Sequence, residues 1–314
     1  MSIAFLPYGF LRKHFCRLAE IRLDQLEWPL GDGPPDAVPT DACVADLTEN
    51  DHLIVVANSR IFTMRQDGVP CSVSILLCEP PVIQGRLYAA VPYVAQRFRY
   101  VLTHSTRLLE RVANARFVAH GGSMISQHQQ PIIEKTARCG IIASDKNSTA
   151  GHRLRHRIIE DAVAAGTQLT TLGRGYEALE RKEDGHLPFC FSVVIENCRE
   201  SGYFTEKLID SFLCNSVPIY WGAPDIEHFF DPRGMVICRS QAELINAVRS
   251  LKESDFASFG SALAHNRSVA LQYADYFPRA AAMVQSWDQD RERFSGGASE
   301  SFLSSDSSTE MRVA

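Results

Sequence analysis

Two adjacent charged residues, Glu206 and Lys207, stand at the start of a predicted helix that Thr205 can cap. A cation in the first turn lies near the positive end of the helix dipole, which disfavours it by a few tenths to about 1 kcal/mol. A bound anion reverses that sign, because the free amide N–H groups and the ammonium group both attract it. Glu206 suits this position on its own, and Lys207 is equally well explained as a solvated side chain turned away from the helix axis. The pair therefore suggests an anion site without establishing one.

A second group of cations, Arg153, Arg155 and Arg157, crowds the first turns of a helix predicted near 153–165. The helix dipole again disfavours basic residues in these turns. A solvated basic face is the alternative explanation, and the residues alone leave both open.

One carboxylate, Glu79, follows the apolar strand candidate Val73–Leu77 after Cys78 and precedes Pro80 and Pro81. A carboxylate at the carboxyl end of a buried parallel strand points into the crevice where such sheets bind their ligands. On the residues alone, a glutamate in a proline-fixed turn is the favoured interpretation.

The elements that must position Glu206 and Lys207 form a βαβ pattern. Phe191–Ile195 is too short and too rich in β-branched residues for a helix, so it is predicted to be a buried strand. A polar loop at 196–204, a helix at 205–214 and the strand Val217–Trp221 follow it. Such a unit makes a parallel sheet, which binds ligands where strands end and helices begin.

Further strands and helices are predicted on both sides of a polar linker at 123–136. The pattern predicts two α/β domains, residues 1–133 and 134–294, followed by a disordered tail at 295–314 that is rich in Ser, Gly and acidic residues. The other predicted strands are Ser2–Leu6, His52–Ala57, Arg99–Thr103, Arg116–Ala119, Cys139–Ala143, Thr170–Leu172 and Met235–Cys238, and the other predicted helices span 106–112, 241–252, 254–274 and 277–293.

The composition of the 314 residues, 45% apolar and 22% charged, is that of an ordinary globular protein. A net charge of −5 argues against nucleic acid as the main partner. No apolar run reaches the length of a membrane span, and nine scattered cysteines favour reduced thiols in a cytoplasmic protein over a disulfide framework. A helix predicted at 11–26 has a basic face that could make peripheral contact with an anionic membrane, although a solvated surface is favoured.

The segment at 196–232 resembles the nucleotide-sugar-binding signature of the α-1,3-fucosyltransferases, glycosyltransferase family ten. The family pattern places Glu-Asn after a strand, then Tyr-x-Thr-Glu-Lys, then a strand of the form Val-Pro-Ile that ends in Gly. This chain has Glu196-Asn197, the run Tyr203–Lys207 and the run Val217–Gly222 at the corresponding places. The match is far more specific than a lone glycine motif, and it is most similar to the short, soluble bacterial members.

The resemblance implies two facing Rossmann-like domains, the GT-B architecture, with GDP-fucose in the carboxy-terminal domain and an oligosaccharide or glycolipid acceptor on the amino-terminal one. It implies an inverting transfer that needs no metal or other cofactor. Glu79 matches the family's general base, although Pro80 stands where the family more often has Ser. Arg155, with Arg153 as runner-up, matches an arginine on the diphosphate. The family positions that line the nucleotide-sugar pocket correspond here to Asn197, Tyr203, Glu206 and Lys207.

Two alternatives stay open at this point. The chain could be another inverting GT-B enzyme with a different nucleotide sugar, or a catalytically silent protein that binds one. The run Asp288-Gln289-Asp290 has the spacing of a metal-binding carboxylate pair, but solvated charge on a surface helix is expected there.

Overall fold

Two parallel sheets organise the protein, for which a computed structural model describes residues 1–7, 17–31, 33–35 and 38–296. The first sheet has five strands in the order β1-β2-β3-β4-β5, so each strand pairs with its neighbour in the chain. This order follows from parallel pairing of consecutive strands through connections that return over the sheet. The strands are β1 (Ile3–Leu6), β2 (His52–Val56), β3 (Ser72–Leu76), β4 (Val101–Thr103) and β5 (Ala115–Phe117).

The second sheet also has five parallel strands, in the order β10-β9-β8-β6-β7. Its central strand β8 is buried along its whole length, which explains why its sequence is a continuous apolar run and not an alternating one. The strands are β6 (Ala137–Ile142), β7 (Thr170–Leu172), β8 (Phe189–Ile195), β9 (Val217–Trp221) and β10 (Val236–Ile237).

Helices cover both sheets, and in the described part of the chain they are α1 (Pro81–Val94), α2 (Thr106–Arg111), α3 (Ala150–Ala164), α4 (Glu206–Leu213), α5 (Gln241–Ser250), α6 (Gly260–Ala274) and α7 (Tyr276–Gly296). The α/β class and the predicted strands are confirmed, with ends that shift by a few residues. The predicted helix at 254–274 is only partly correct, because Glu253–Phe259 forms 3-10 turns and α6 starts after them.

The sequence pattern does not predict α1. Pro80 and Pro81 start this helix, since proline suits the first helical position, where its missing N–H is not needed. Pro92 lies inside it, and Gln84 departs from helical geometry with φ −116 and ψ 35. Proline in a helix interior is normally a sign against a helix, so the local signals oppose one another.

The predicted helix at 11–26 is wrong for its described part. Leu18–Glu20 and Leu23–Gln25 form short 3-10 turns instead, and residues 8–16 lie outside the described residues. Leu18 and Leu23 are buried in the first domain's core, so packing and not helical periodicity decides this segment.

The last helix, α7, packs against the first sheet although it follows the second. Its Ala280, Ala281 and Val284 share an apolar cluster with Ile3 and Phe5 of β1. The predicted domain boundary at 133/134 stays a prediction, and the predicted tail falls almost entirely outside the described residues.

Asp288 fastens α7 to the first sheet. Its carboxylate accepts hydrogen bonds from the Tyr100 hydroxyl at 2.7 Å and from Arg99 at 3.0 Å, and it lies 2.9 Å from His52 Nδ1. Burial opposes its ionisation, but the hydrogen bonds from His52 and Tyr100 outweigh burial and lower the pKa of Asp288 to about 2. The expectation of solvated charge is therefore wrong for Asp288, which is an internal anchor, whereas Asp290 is exposed.

Across the described ranges, no helix combines the length and the apolar character that crossing a bilayer requires.

Candidate active site

The βαβ unit β8–α4–β9 forms the base of the site. Thr205 caps α4, with its side-chain oxygen accepting the N–H of Lys207 at 3.4 Å. The apolar face of α4 is buried against the second sheet through Leu208, Ile209 and Phe212. This capped and buried helix holds the side chains of its first turn in place.

Glu196 connects the end of β8 to the start of α4. Its side chain is fully buried and accepts the Thr205 N–H and the Thr205 hydroxyl, both at 2.8 Å. Burial raises the pKa of Glu196, and the ammonium of Lys207, 3.9 Å from its carboxylate, opposes this increase. Glu196 therefore fixes the geometry of the loop between strand and helix.

Lys207 and Glu206 form an ion pair at the start of α4. The Lys207 ammonium donates to the Glu206 carboxylate at 2.8 Å and to the Thr205 hydroxyl oxygen at 3.0 Å. Burial favours the neutral forms of both groups, but their mutual attraction outweighs it: the pKa of Glu206 falls to about 2 and that of Lys207 lies above its usual value. Both side chains are thus charged at neutral pH. The Lys207 side chain keeps 29% of its surface exposed.

Arg155 reaches the same place from α3. Its guanidinium donates to the main-chain oxygen of Ile195, and one of its nitrogens lies 3.4 Å from Asn197 Oδ1. The close approach of α3 to the end of β8 depends on Gly151, because a Cβ there would overlap the main-chain oxygen of Glu196. The glycine therefore brings the Arg155 guanidinium next to the 196–207 segment.

A cleft of about 890 Å³ joins most of the predicted site residues. Glu79, Arg155, Asn197, Glu206 and Lys207 all line it. Glu79 lies in the connection that follows β3 of the first sheet, whereas the other four lie on α3, on α4 and in the loop after β8 of the second sheet. The structure thus brings the candidate base and the candidate anion site into one cleft between the two sheets.

Two predicted site residues do not line this cleft. Arg153 is exposed, and its guanidinium donates to the main-chain oxygens of Asn147 and Ser148 at 3.0 and 3.3 Å. Tyr203 is 2% exposed and packs against the rings of His104 and His120. Burial first, and then the charges of nearby carboxylates including Glu196 and Glu79, raise the pKa of its hydroxyl.

The sequence reasoning missed His152, which lines the cleft from the first turn of α3. Its Nδ1 accepts the main-chain N–H of Thr149 at 3.3 Å, so the ring proton of the neutral form lies on Nε2. Burial, with Arg155 and Lys146 adding to it, lowers the pKa of His152 to about 4. At neutral pH the ring is therefore a neutral hydrogen-bond donor. The Thr149 cap was the available sequence signal.

Asp210 is a second residue that the sequence did not single out, and it lines the cleft one turn after Glu206. Burial is the main cause that raises its pKa to about 7.

The arrangement suits the binding of an anionic ligand with a reacting group held opposite a carboxylate. Lys207, Arg155 and the amide groups at the start of α4 can meet negative charge on one wall. Glu79 on the other wall can accept a proton. Within residues 1–7, 17–31, 33–35 and 38–296, no three His, Cys, Asp or Glu side chains are grouped in a way that could hold a metal ion.

Comparison with known proteins yields a partial sequence match and a broader fold match. No family model matches the chain. The chain is 27% identical over 116 residues to the α-(1,3)-fucosyltransferase FucT of Helicobacter pylori, which is 36% of this chain and 23% of that protein. The chain therefore matches about a quarter of the length of this relative.

Solved structures match over three quarters of the chain. TarM from S. aureus, solved with UDP, has a TM-score of 0.55 at 10% identity, covering 75% of this chain and 55% of TarM. A trehalose-6-phosphate synthase, studied for glycosyl transfer with retention, also has a TM-score of 0.55 at 9% identity, covering 77% of this chain and 74% of its own. At such low identities these matches speak for the fold alone. The fold is thus the GT-B architecture, and about a third of the chain is similar in sequence to an α-1,3-fucosyltransferase.

Proposed function

We propose that the protein is a glycosyltransferase that moves L-fucose from GDP-β-L-fucose to a hydroxyl group of an acceptor glycan. One observation carries this proposal: Lys207, Arg155 and the start of α4 line the same cleft as Glu79, which comes from the opposite sheet. The named fucosyltransferase relative supports fucose as the sugar.

The second-domain wall is proposed to bind the nucleoside diphosphate. As the bond to the sugar breaks, negative charge grows on the diphosphate, and preorganised cations stabilise that charge most. Lys207 is already charged and partly exposed to the cleft, and Arg155 is fixed by its contact with Ile195. We expect these cations to carry the leaving-group charge, so that chelation of metals leaves transfer intact.

Glu79 is proposed as the general base. The acceptor hydroxyl must lose a proton as it attacks the anomeric carbon, and a carboxylate across the cleft from the diphosphate can take it. Attack from the face opposite the leaving group inverts the anomeric centre and gives an α-fucoside. The fold by itself leaves the stereochemistry open, because the trehalose-6-phosphate synthase neighbour works with retention.

The remaining predicted residues have supporting roles in this proposal. Asn197 and Glu206 line the cleft and are proposed to contact ribose or fucose hydroxyls. Tyr203 is proposed to shape the pocket from behind, since it is buried. As acceptor we propose an N-acetyllactosamine-type or lipopolysaccharide glycan, fucosylated α-1,3 on its N-acetylglucosamine.

The test is incubation of the purified protein with GDP-fucose and a panel of glycan acceptors, with and without EDTA. UDP-glucose, UDP-N-acetylglucosamine and GDP-mannose serve as alternative nucleotide sugars. Transfer from GDP-fucose alone, with an α-configured anomeric proton in the NMR spectrum of the first product formed, supports the proposal. Preference for another nucleotide sugar overturns the fucose assignment, and a β-configured product overturns inversion. Tight GDP binding without transfer to any acceptor or to water would identify a silent binding protein.

A further inference from the structure

His104 is a buried histidine at the carboxyl end of β4, immediately after Thr103. Its side chain is fully buried, and in the described part of the chain neither of its ring nitrogens has a hydrogen-bond partner. Buried polar groups without partners are rare because each loses its bonds to water without replacement. A polar group that lies close to this imidazole could therefore become its hydrogen-bond partner after a small movement.

A carboxylate on the opposite domain is in position to become such a partner. Glu200 Oε2 lies 3.8 Å from His104 Nε2, which is about 1 Å longer than a hydrogen bond. Glu200 belongs to the loop at 197–204, which connects β8 to α4 and carries Asn197 and Tyr203. His104 follows β4 of the first sheet, so this approach crosses from one domain to the other.

The ring of His104 also packs against two tyrosines, one in the 197–204 loop and one in α1. Its centroid is 5.1 Å from the ring of Tyr203 and 6.4 Å from the ring of Tyr88. Tyr88, in α1, donates its hydroxyl to the main-chain oxygen of Glu79 at 3.0 Å. One imidazole thus touches both the 197–204 loop and the residue that holds the segment of the candidate base.

The loop backbone is pressed against the first domain at the same place. Gly202 has a φ of +68, and a Cβ on it would lie 2.8 Å from the ring of Phe117 and 3.5 Å from the main-chain oxygen of His104. Nearby, the Gly121 N–H donates to the Phe204 oxygen at 2.8 Å. The loop is therefore positioned by residues of the first domain as well as by its own.

We propose that His104 is a positioning residue for sugar transfer, which seats the 197–204 loop on the first domain through Glu200 and Tyr203. This inference rests on the proposed function. A movement of the loop by about 1 Å, which the free protein already samples, lets His104 Nε2 donate to the Glu200 carboxylate, and the bound nucleotide sugar stabilises this arrangement. That bond fixes the distance between the sugar-binding wall and Glu79, and a small error in such a distance is costly in rate.

The first test measures the loop directly by hydrogen–deuterium exchange of the full protein without ligand. His104→Phe keeps an aromatic ring against Tyr203 and Tyr88 but removes both nitrogens. Amides of the 197–204 loop are expected to exchange several-fold faster in this variant, while β4 and β8 keep their protection. Glu227→Gln serves as the control. Glu227 is a surface carboxylate of the second domain, which carries the 197–204 loop, and it pairs with Arg239. Unchanged loop exchange in His104→Phe overturns the inference.

The second test is a double-mutant cycle in transfer kinetics. His104→Phe and Glu200→Met, which keeps the side-chain length but has no hydrogen-bonding oxygen, are each expected to lower kcat/KM about tenfold, and the double variant no further, because both remove the same contact. His104→Gln, whose amide N–H can still reach Glu200, is expected to recover most of the activity. Independent, multiplying losses overturn the inference, as does a His104→Gln variant as impaired as His104→Phe at an unchanged melting temperature.

The two proposals fail in different ways. An unsubstituted protein that transfers no sugar refutes the proposed function, while the loop exchange of ligand-free His104→Phe still decides whether His104 seats the loop. An active His104→Phe variant with normal kcat/KM refutes only the role of His104.

Discussion

The carboxylate of Asp210 accepts a hydrogen bond from the hydroxyl of Ser123, and the two oxygens are 2.6 Å apart. The N–H of Met124 lies 3.2 Å from the same carboxylate oxygen. Ser123 and Met124 are in the segment between the two sheets, whereas Asp210 is on α4, one turn beyond Glu206. This contact ties the connection between the domains to the helix that begins the candidate anion site.

Asp210→Asn is expected to stabilise the protein at alkaline pH. The folded-state pKa of Asp210, about 7, lies above its ordinary value of 3.8. Between these values the folded protein holds a proton that the unfolded chain releases, so stability falls as the pH rises from about 4 to 7. Asparagine keeps an acceptor for Ser123 and removes this penalty. Urea denaturation should give a variant more stable than the unsubstituted protein by about 1–3 kcal/mol at pH 8 and nearly equal to it at pH 4. The exposed substitution Asp41→Asn should show no such difference, and equal stabilisation at both pH values would contradict the prediction.

Glu79→Gln is expected to lower kcat by about 10²–10⁴, because the amide cannot take the proton from the hydroxyl group of the acceptor glycan. GDP affinity, measured by calorimetry, should stay within about twofold, since the diphosphate is proposed to bind the opposite wall. Glu110→Gln, an exposed glutamate of the same domain, is the control. A fully active Glu79→Gln protein would remove Glu79 as the base.

Lys207→Ala is expected to weaken GDP binding about 10- to 100-fold, because a charge-assisted contact to phosphate is lost. The melting temperature should fall as well, since Glu196 is then left as a buried carboxylate without its nearest cation. Arg153→Ala, at an exposed arginine outside the cleft, should leave GDP affinity unchanged. If calorimetry found a larger loss of GDP affinity in Arg153→Ala than in Lys207→Ala, the diphosphate would bind elsewhere.

Gly151→Ala is expected to destabilise the protein by about 2–4 kcal/mol. The added Cβ would overlap the Glu196 main-chain oxygen, and neither α3 nor β8 can move away without losing its own packing. Gly85→Ala provides a matched helical control, because a Cβ at Gly85 would have no heavy atom within 4 Å. That control should be neutral or stabilising by up to about 1 kcal/mol. Equal effects of the two substitutions in urea denaturation would refute the close approach.

Asp288→Ala is expected to cost about 3 kcal/mol, since Tyr100 and Arg99 lose a shared acceptor inside the protein. Asp290→Ala, two residues further on at an exposed position, should change the unfolding free energy by less than about 0.5 kcal/mol.

The stability of the unsubstituted protein should also decline as the pH falls, because of Asp288. The folded-state pKa of Asp288 is about 2 and its ordinary value is 3.8, so its contribution is present above about pH 4 and lost as the pH falls towards 2. Loss of this acid-dependent step in Asp288→Ala would verify the assignment.

Residue patterns within short segments account for the local parts of this protein. The strands β8 and β9, the capping of α4 by Thr205 and the left-handed exit at Asn215, with a φ of 53, all follow from apolar periodicity and capping chemistry. For the same reason the residue pattern suffices to place Lys207 and Glu206 at a helix start and Glu79 at a strand end.

Tertiary packing determines which of these residues meet. Arg155, and not Arg153, turns into the cleft, because the side of α3 that carries it packs against the end of β8 through Gly151. The same packing puts His152 into the cleft and leaves Glu196 fully buried under Thr205. Asp288 becomes an anchor because α7 returns to the first sheet, more than two hundred residues away in sequence from its partner His52. Such contacts join segments that are distant in sequence, so their geometry depends on how whole elements pack, and no local pattern of residue types encodes it.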